Sequence, residues 1–371
     1  MNASLSRITL SLIFCFLFCT ASFGQKTPRK EAELALQQAM ADYHIPGLAF
    51  AVVKDGKVIH QGQMGFANLA WKAPVDQETV FQTASCSKLF TALLLGKLFD
   101  EKILRPDQTM GELFDSIPYY WKPITVKQLA AHQSGIWIGN VFAGKTPKEA
   151  FELAKENEMT YEPGTQSFYV SADYWILQHL IEKKTGKPFY AALKQYVLEP
   201  LGMKHTFVNN GQEDPNTHIR TADVLPKEAT VYAYHGDRYQ VSDMQFGATG
   251  YTSGGIYTSI EDMAKIAQTL DQGTFLTPAT QALLVNGLPL KDGKKGPFGV
   301  GFVSDTYQGH KVSGHTGGPA LADYIRFDDQ KLTFIVLANQ RGFYPLLART
   351  LATYYIPGLQ KPELPKGFVL K

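Results

Sequence analysis

Cysteine is scarce in this chain, and two of its three cysteines lie close together near the N-terminus. If that segment is removed as a leader, Cys15 and Cys19 leave with it, and Cys86 has no partner for an intramolecular disulfide. A buried core must then hold the folded protein, and 371 residues are enough to form one. We interpret Cys86 as a small packed side chain and not as a nucleophile.

The chain also has no strong excess of charge of one sign. Its formal net charge is +2, and no block of basic residues is suited to a phosphate backbone. We therefore expect no nucleic acid among its partners.

Several catalytic and cofactor motifs are absent from the sequence. Without a Gly-x-Ser-x-Gly elbow, the chain lacks the main motif of the α/β-hydrolases. No His-Glu-x-x-His and no cysteine cluster suggest zinc, and no Gly-x-Gly-x-x-Gly follows a predicted strand. The sequence therefore predicts neither a metal nor a cofactor.

A long apolar run occurs at the N-terminus, where Ile8 to Phe18 follows Arg7 and small residues follow near Gly24. This pattern is typical of a secretory signal peptide, and the run is too short to span a bilayer comfortably. We expect cleavage of residues 1–24 and export to the periplasm or the medium, with no permanent membrane span. Lipid attachment through Cys19 is the alternative, and the bulky side chain of Phe18 argues against it.

The rest of the chain predicts an α+β fold, with strands near both ends and helices in the middle. Leu48–Val53 and Val58–Ile59, joined through Asp55-Gly56, predict a hairpin whose first strand is buried on both faces. Further strands are predicted at 299–303, 311–315, 324–327 and 332–339. We expect one antiparallel sheet built from both chain ends and flanked by helices, with a mostly helical insert. In the mature chain, residues 25–371, the sheet part would span about 25–82 and 250–371, and the helical part about 83–249.

The first motif with chemical potential is Ser85-Cys86-Ser87-Lys88, which leads into an apolar run. If a helix starts near Ser85, its hydroxyl and the amine of Lys88 lie on one face of the first turn. The positive end of the helix dipole disfavours an ammonium there, and a neutral amine can accept the serine proton. The alternative is a polar helix start over a buried apolar face.

Tyr169-Val170-Ser171 forms the second motif, between a Pro-Gly turn and a predicted helix. The phenol can relay the Ser85 proton if a nearby cation lowers its pKa, and the Ser171 hydroxyl can bond to Lys88. Read alone, the segment also fits a half-buried tyrosine at a helix start.

The third motif, His315-Thr316-Gly317-Gly318, ends a predicted strand. Glycines there allow a substrate backbone to approach closely, and an exposed N–H can point at a developing oxyanion. A glycine-rich strand end with a surface histidine is the alternative reading.

In this order, the three motifs resemble the serine β-lactamase and penicillin-binding-protein superfamily, especially its class C-like branch of esterases, D-stereospecific peptidases and β-lactamases. The resemblance covers essentially the whole mature chain. Further stretches that match this branch are Ile124 to Leu129 leading to His132-Gln133-Ser134-Gly135, Pro163-Gly164, Leu201-Gly202-Met203, Gly254-Gly255 and Gly314 to Gly318. The resemblance implies a β-lactamase/transpeptidase-like fold with an active site in a groove.

The resemblance also implies roles for individual residues. Ser85 would be the acylated nucleophile, Lys88 its neighbouring amine, and Tyr169 the group that assists proton transfer to the leaving group and from the deacylating water. The backbone N–H groups of Ser85 and Gly318 would form the oxyanion hole. The expected partner is a small-molecule or peptide substrate, including peptides derived from peptidoglycan.

Two residues depart from the pattern of this branch. Ser171 stands where the branch commonly has Asn, and His315 stands where β-lactamases usually have Lys. Because His is mostly neutral at pH 7, it argues for an esterase or D-peptidase over an efficient β-lactamase. Ser171 motivates a second hypothesis, a catalytically idle ligand-binding or sensor protein that keeps the fold.

Overall fold

The computed structural model describes residues 28–137, 145–209, 212–213, 220–242, 244–318, 321–342 and 346–363, with the backbone alone at 212, 213 and 220. The predicted signal segment 1–24 lies outside these ranges. Within them, no helix combines the length and the apolar character that a bilayer crossing requires.

The central element is an antiparallel sheet of seven strands: β1 (Gly47–Lys54), β2 (Lys57–Asn68), β3 (Ala73–Pro74), β11 (Val303–Tyr307), β12 (His310–Gly317), β13 (Ala322–Phe327) and β14 (Leu332–Ala338). Across the sheet their order is β11-β12-β13-β14-β1-β2-β3.

The predicted hairpin is confirmed. Strands β1 and β2 pair antiparallel across Asp55 and Gly56, whose φ angles of 48° and 74° suit a tight two-residue turn. β1 is buried from Gly47 to Val53, as its continuous apolar sequence predicts.

Strand β1 lies between β2 and β14, so the two ends of the chain meet at the centre of the sheet. Phe50 pairs with Val336, and Ala51 pairs with Ile335. The α+β prediction of one antiparallel sheet built from both chain ends is confirmed.

Ten α-helices cover the two faces of this sheet and fill the middle of the chain. They are α1 (Pro28–Asp42), α2 (Ser87–Asp100), α3 (Met110–Leu113), α4 (Val126–Ala130), α5 (Pro147–Ala154), α6 (Ala172–Thr185), α7 (Phe189–Leu193), α8 (Ile260–Gln272), α9 (Pro278–Val285) and α10 (Leu347–Ala352), counted over the described ranges. A π-helical turn, Lys194–Leu198, continues α7.

Alternate side chains of β1 enter two separate apolar clusters, because successive residues of a strand point to opposite faces. Ala49 and Ala51 join the larger cluster, which includes α2, α6 and α8. Phe50 and Val52 join an outer cluster with α1 and α10. The larger cluster lies on the face that carries the predicted motifs.

The described ranges also contain seven short strands: β4 (Phe81–Gln82), β5 (Thr206–Val208), β6 (Gln212–Glu213), β7 (Arg220–Thr221), β8 (Tyr232–His235), β9 (Arg238–Val241) and β10 (Ile256–Thr258). They form three smaller sheets, in which β10 lies between β4 and β5, β6 pairs with β7, and β8 pairs with β9. Sheet residues therefore occur inside the segment 83–249 that the sequence predicts to be mostly helical.

The strand predicted at 299–303 is wrong, because β11 begins only at Val303. The preceding residues form a close turn in which Gly301 has a φ of 83°. A Cβ atom on Gly299 would lie 2.1 Å from the carbonyl oxygen of Leu284, and one on Gly301 would lie 2.6 Å from the Cβ of Ala92. Gly299 and Gly301 thus allow the chain to pack closely against α9 and α2. A pattern of strand-forming residues does not reveal such a contact.

Candidate active site

Ser85 lies in a single 3-10 turn, Ala84–Cys86, which joins β4 to the start of α2. The residue before it, Ala84, has a φ of 43°, a left-handed conformation that is unusual for alanine. The hydroxyl of Thr83 donates to the carbonyl of Ile256 at 2.7 Å and anchors the turn on β10. The turn holds Ser85 partly exposed at the start of a helix in which every residue except Lys97 and Asp100 is buried.

Lys88 is buried in the first turn of α2, with 1% of its surface exposed. Its Nζ atom donates to Tyr169 Oη and to the carbonyl oxygen of Ser253, each at 2.8 Å. It also lies 4.9 Å from the centre of the Tyr174 ring. In the described part of the chain no carboxylate pairs with this amine. Burial therefore dominates and lowers the pKa of Lys88 to about 7.

Tyr169 connects Lys88 to Ser85. Its Oη atom donates to Ser85 Oγ at 2.9 Å while accepting from Lys88, which gives one continuous hydrogen-bonded chain of three side chains. The condition considered above, a cation that lowers the pKa of this phenol, is not met, because burial raises the pKa to about 12. The phenol is therefore neutral near pH 7, and of the three groups the amine is the one that titrates there.

The end of β12 lies against the turn that carries Ser85. The Sγ of Cys86 donates to the carbonyl of His315 at 3.2 Å, and a Cβ atom on Gly317 would lie 2.1 Å from the carbonyl oxygen of Thr83. Gly318 follows, exposed, and among the described residues no heavy atom lies within 4 Å of where its Cβ would stand. The structure thus places the third motif beside the first.

The His315 imidazole is buried beside Tyr169, with 7% of the residue exposed. Its Nδ1 is 2.7 Å from the carbonyl oxygen of Thr316, and its ring centre is 5.9 Å from that of Tyr169. Burial, reinforced by the nearby charge of Lys88, lowers its pKa to about 3. The side chain is neutral near pH 7 and supplies no cation for a substrate carboxylate.

Ser171 immediately precedes α6 and makes no side-chain capping bond to that helix. The expected bond between its hydroxyl and Lys88 is not formed, because the amine donates to Tyr169 and to Ser253. The carbonyl of Ser253 therefore orients Lys88. A main-chain group leaves no residue-type signature, so sequence patterns cannot identify it.

Two buried residues behind Tyr169, His132 and Asp173, are not predicted as site residues by the sequence. The ring centre of His132 lies 4.6 Å from that of Tyr169, and its Nδ1 lies 3.3 Å from Asp173 Oδ2. The only available signal was the His-Gln-Ser-Gly stretch at 132–135, which the sequence alone did not connect to the tyrosine.

The packed thiol expected at Cys86 is found, since the side chain is buried and burial raises its pKa well above the usual range. No group of three or more His, Cys, Asp or Glu side chains in the described ranges is placed to hold a metal ion.

Comparison with known proteins supports this architecture. The Beta-lactamase family model matches residues 32–353. A D-aminopeptidase from Brucella anthropi is 28% identical over 317 residues, which cover 81% of this chain and only 57% of that protein. Penicillin-binding protein 4* from Bacillus subtilis is 23% identical over 85% of this chain and 73% of its own length. The crystal structure of the D-amino acid amidase from Ochrobactrum anthropi SV3, complexed with D-phenylalanine, superposes with a TM-score of 0.67 at 22% identity, covering 84% of this chain and 92% of that one.

Proposed function

The chain belongs to the β-lactamase family of serine hydrolases, and on that basis we propose that it hydrolyses an ester, amide or D-amino-acid peptide bond through an acyl-enzyme on Ser85. The observation that carries the proposal is the unbroken chain of hydrogen bonds from Lys88 through Tyr169 to Ser85. Each of its links falls within the distance that proton transfer requires.

In the acylation step, Ser85 Oγ attacks the carbonyl carbon of the substrate. Its proton passes to Tyr169 Oη as the phenol gives its own proton to neutral Lys88. In the resting site Lys88 donates to Tyr169 and Tyr169 donates to Ser85. Rotation of the two hydroxyl groups reverses these hydrogen bonds without moving the heavy atoms, so that Ser85 donates to Tyr169 and Tyr169 donates to Lys88. When the tetrahedral intermediate collapses, Tyr169 gives its proton to the leaving group and receives one from protonated Lys88, and the acyl group remains on Ser85.

Two backbone N–H groups, those of Ser85 and Gly318, would stabilise the negative charge on the carbonyl oxygen. Such donors contribute about 3–4 kcal/mol each to lowering the barrier. Water then attacks the acyl ester, its proton moves through Tyr169 to Lys88, and Ser85 recovers a proton as the acid product leaves. Thr316 and Gly317 of β12 would border the bound substrate on this side.

The surroundings of His315 favour a substrate without a carboxylate at this position. The buried, neutral imidazole of His315 cannot form an ion pair with a substrate carboxylate. Esters and D-amino-acid amides are therefore preferred over β-lactams, which commonly carry a carboxylate. D-amino-acid peptides, including fragments of peptidoglycan, fit where they present no free carboxylate to His315. The names of the D-aminopeptidase and the D-amino acid amidase agree with this preference.

The alternative, an idle ligand-binding protein, was motivated by Ser171. Its argument is weakened because Lys88 is oriented by Tyr169 and Ser253 with no contribution from residue 171. We further propose that the protein is exported and loses residues 1–24. N-terminal sequencing of the protein recovered from the periplasm or the medium of an expressing bacterium tests this, with Gln25 expected first.

A fluorophosphonate probe followed by peptide mapping tests the nucleophile. The wild-type chain should carry one adduct on Ser85, and Ser85→Ala should carry none. The exposed Ser116→Ala serves as the matched control and should label like the wild type. A wild-type protein without an adduct, or with its adduct on another residue, contradicts the proposed nucleophile.

A turnover panel then separates the substrate classes. p-Nitrophenyl esters, D-alanyl amides and peptides, and nitrocefin are compared by kcat/KM on the same preparation. We expect esters or D-amino-acid substrates to exceed nitrocefin by at least about tenfold. A preference for nitrocefin contradicts the substrate assignment, and ligand binding without any turnover supports the idle protein.

A further inference from the structure

His132, 37 positions earlier in the chain, contacts the Tyr169 segment at three points. The backbone carbonyl of His132 accepts from the N–H of Phe168 at 2.9 Å. The N–H of Val170 points at Nδ1 of the His132 ring at 3.3 Å. The residues before and after the tyrosine are thus both bonded to His132, while its ring packs against the phenol ring.

His132 is itself fixed by a buried network. Its Nδ1 lies 3.3 Å from Oδ2 of Asp173, and Ser134 donates from its hydroxyl to the other carboxyl oxygen. All three side chains are at most 1% exposed. His132 also has a φ of 56°, so its backbone is held in an unusual conformation where its carbonyl and its ring can both reach the tyrosine segment.

The protonation states follow from the geometry. A ring nitrogen that accepts the Val170 N–H carries no hydrogen, so Asp173 must donate to it and carry the proton itself. Burial acts in the same direction, raising the pKa of the Asp173 carboxyl and lowering that of the His132 imidazole. Both changes favour the uncharged forms of the two side chains.

These residue types suggest a second catalytic triad, but their order excludes one. In a triad the histidine lies between the acid and the serine. Here the acid lies in the middle, Ser134 is fully buried, and His132 Nε2 has no partner in the described part of the chain.

We propose that His132 is a positioning residue for Tyr169, and that Asp173 holds the imidazole of His132 in the orientation this requires. The proposal rests on the proposed function only in that Tyr169 is taken as the proton relay. A displacement of the phenol by 1 Å is enough to lower the rate by about 100-fold.

The test compares His132→Ala with His132→Asn in the full chain. Asn places an acceptor oxygen where Nδ1 lies and tolerates the left-handed backbone, so it keeps the bond from Val170. We expect kcat to fall about 100-fold in His132→Ala with KM changed by less than about threefold, and to stay within about tenfold of the wild type in His132→Asn. Equal losses in both variants overturn the proposal. If His132→Ala does not fold, His132→Gly replaces it, because glycine suits the positive φ.

A mutant cycle with Tyr169→Phe separates positioning from a general structural role. If His132 acts through the phenol, His132→Ala should slow labelling of Ser85 by less than about threefold in the Tyr169→Phe background. If His132→Ala slows the labelling of Ser85 as much in the Tyr169→Phe background as it does in the wild type, the proposal is overturned. His60→Ala is the matched control, since His60 is also buried and hydrogen-bonded, but to Glu33 and Tyr355. It should leave kcat unchanged.

Amide exchange gives a readout that does not need activity. In His132→Ala, hydrogen–deuterium exchange at the Val170 N–H should accelerate by at least about tenfold. The Phe168 N–H should change less, because its acceptor is the main-chain carbonyl of residue 132. His132→Asn should preserve both amides. Unchanged exchange at Val170 overturns the positioning role, whereas the absence of turnover and probe labelling in the wild type overturns only the proposed function.

Discussion

The Nζ atom of Lys88 lies 2.8 Å from the carbonyl oxygen of Ser253, and the described residues provide no carboxylate to balance its charge. A buried amine with a main-chain partner and no counter-ion gives up its proton more readily than an exposed lysine does. Under the proposed mechanism, we therefore expect Lys88 to set the pH dependence of the site.

The first prediction concerns activity against pH. Only neutral Lys88 can accept a proton, so kcat/KM should rise with pH along one limb with an apparent pKa of about 7. Of the groups facing the amine, Tyr169 and Cys86 have raised pKa values and His315 has a lowered one, so they add no further limb near neutrality. A pH profile of ester hydrolysis measures this. Lys88→Arg, which stays charged, should be inactive throughout, and a flat wild-type profile contradicts the assignment.

The second prediction concerns stability. Folding lowers the pKa of Lys88 from 10.5 to about 7, so between these values the unfolded chain binds more protons than the folded one. Wild-type stability therefore rises with pH in this window. The free energy of unfolding of Lys88→Met should exceed that of the wild type at pH 7. The difference between the two should be smaller by about 2 kcal/mol at pH 9. Urea unfolding at the two pH values measures the difference, and an advantage that does not change with pH contradicts it.

A third prediction addresses the relay. Tyr169→Phe removes the oxygen between Lys88 and Ser85 but keeps the aromatic ring in its contacts. We expect kcat to fall by about 10²–10⁴-fold, the usual contribution of a positioned proton donor or acceptor. The melting temperature should stay close to that of the wild type. Tyr239→Phe, on the β9 strand, is the control; retention of full activity by Tyr169→Phe excludes the relay.

The fourth prediction concerns the contact between β12 and the turn that carries Ser85. In Gly317→Ala, the new Cβ would stand 2.1 Å from the carbonyl oxygen of Thr83, and the strand end must move away. We expect a loss of about 1–3 kcal/mol in the free energy of unfolding and slower labelling of Ser85. Gly247→Ala is the control, because its Cβ meets nothing within 4 Å and its φ is −66°. Equal behaviour of the two variants contradicts the tight contact.

Local patterns predicted much of the fold, because the responsible interactions are close in sequence. The Asp55-Gly56 pair fixes a turn that few other dipeptides adopt. Ser259 caps α8 by accepting from the Asp262 N–H, which is typical of a serine directly before an apolar helical pattern. The Asp262 carboxylate instead accepts from the His205 N–H and the Thr206 hydroxyl, two groups that are distant in sequence.

The candidate site was less accessible to sequence reasoning, because main-chain groups and burial decide much of its chemistry. The Ser-x-x-Lys spacing predicts that Ser85 and Lys88 are neighbours, but it does not show that a carbonyl at Ser253 orients the amine. The direction of the pKa change at Tyr169 depends on how much solvent reaches the phenol, which only the fold determines. The bracketing of Tyr169 by His132 depends on a backbone conformation that no residue pattern specifies.

The pairing of Phe50 with Val336 has a consequence for biosynthesis. While the chain is being made, β1 leaves the ribosome long before β14, and the edge it presents to that partner stays unsatisfied until the intervening residues 55–331 have been synthesised. Long-range strand pairing of this kind is slow, and exposed strand edges promote aggregation. Production of this protein should therefore depend on chaperones that shield the nascent N-terminal hairpin, and premature termination before β14 should give an insoluble fragment.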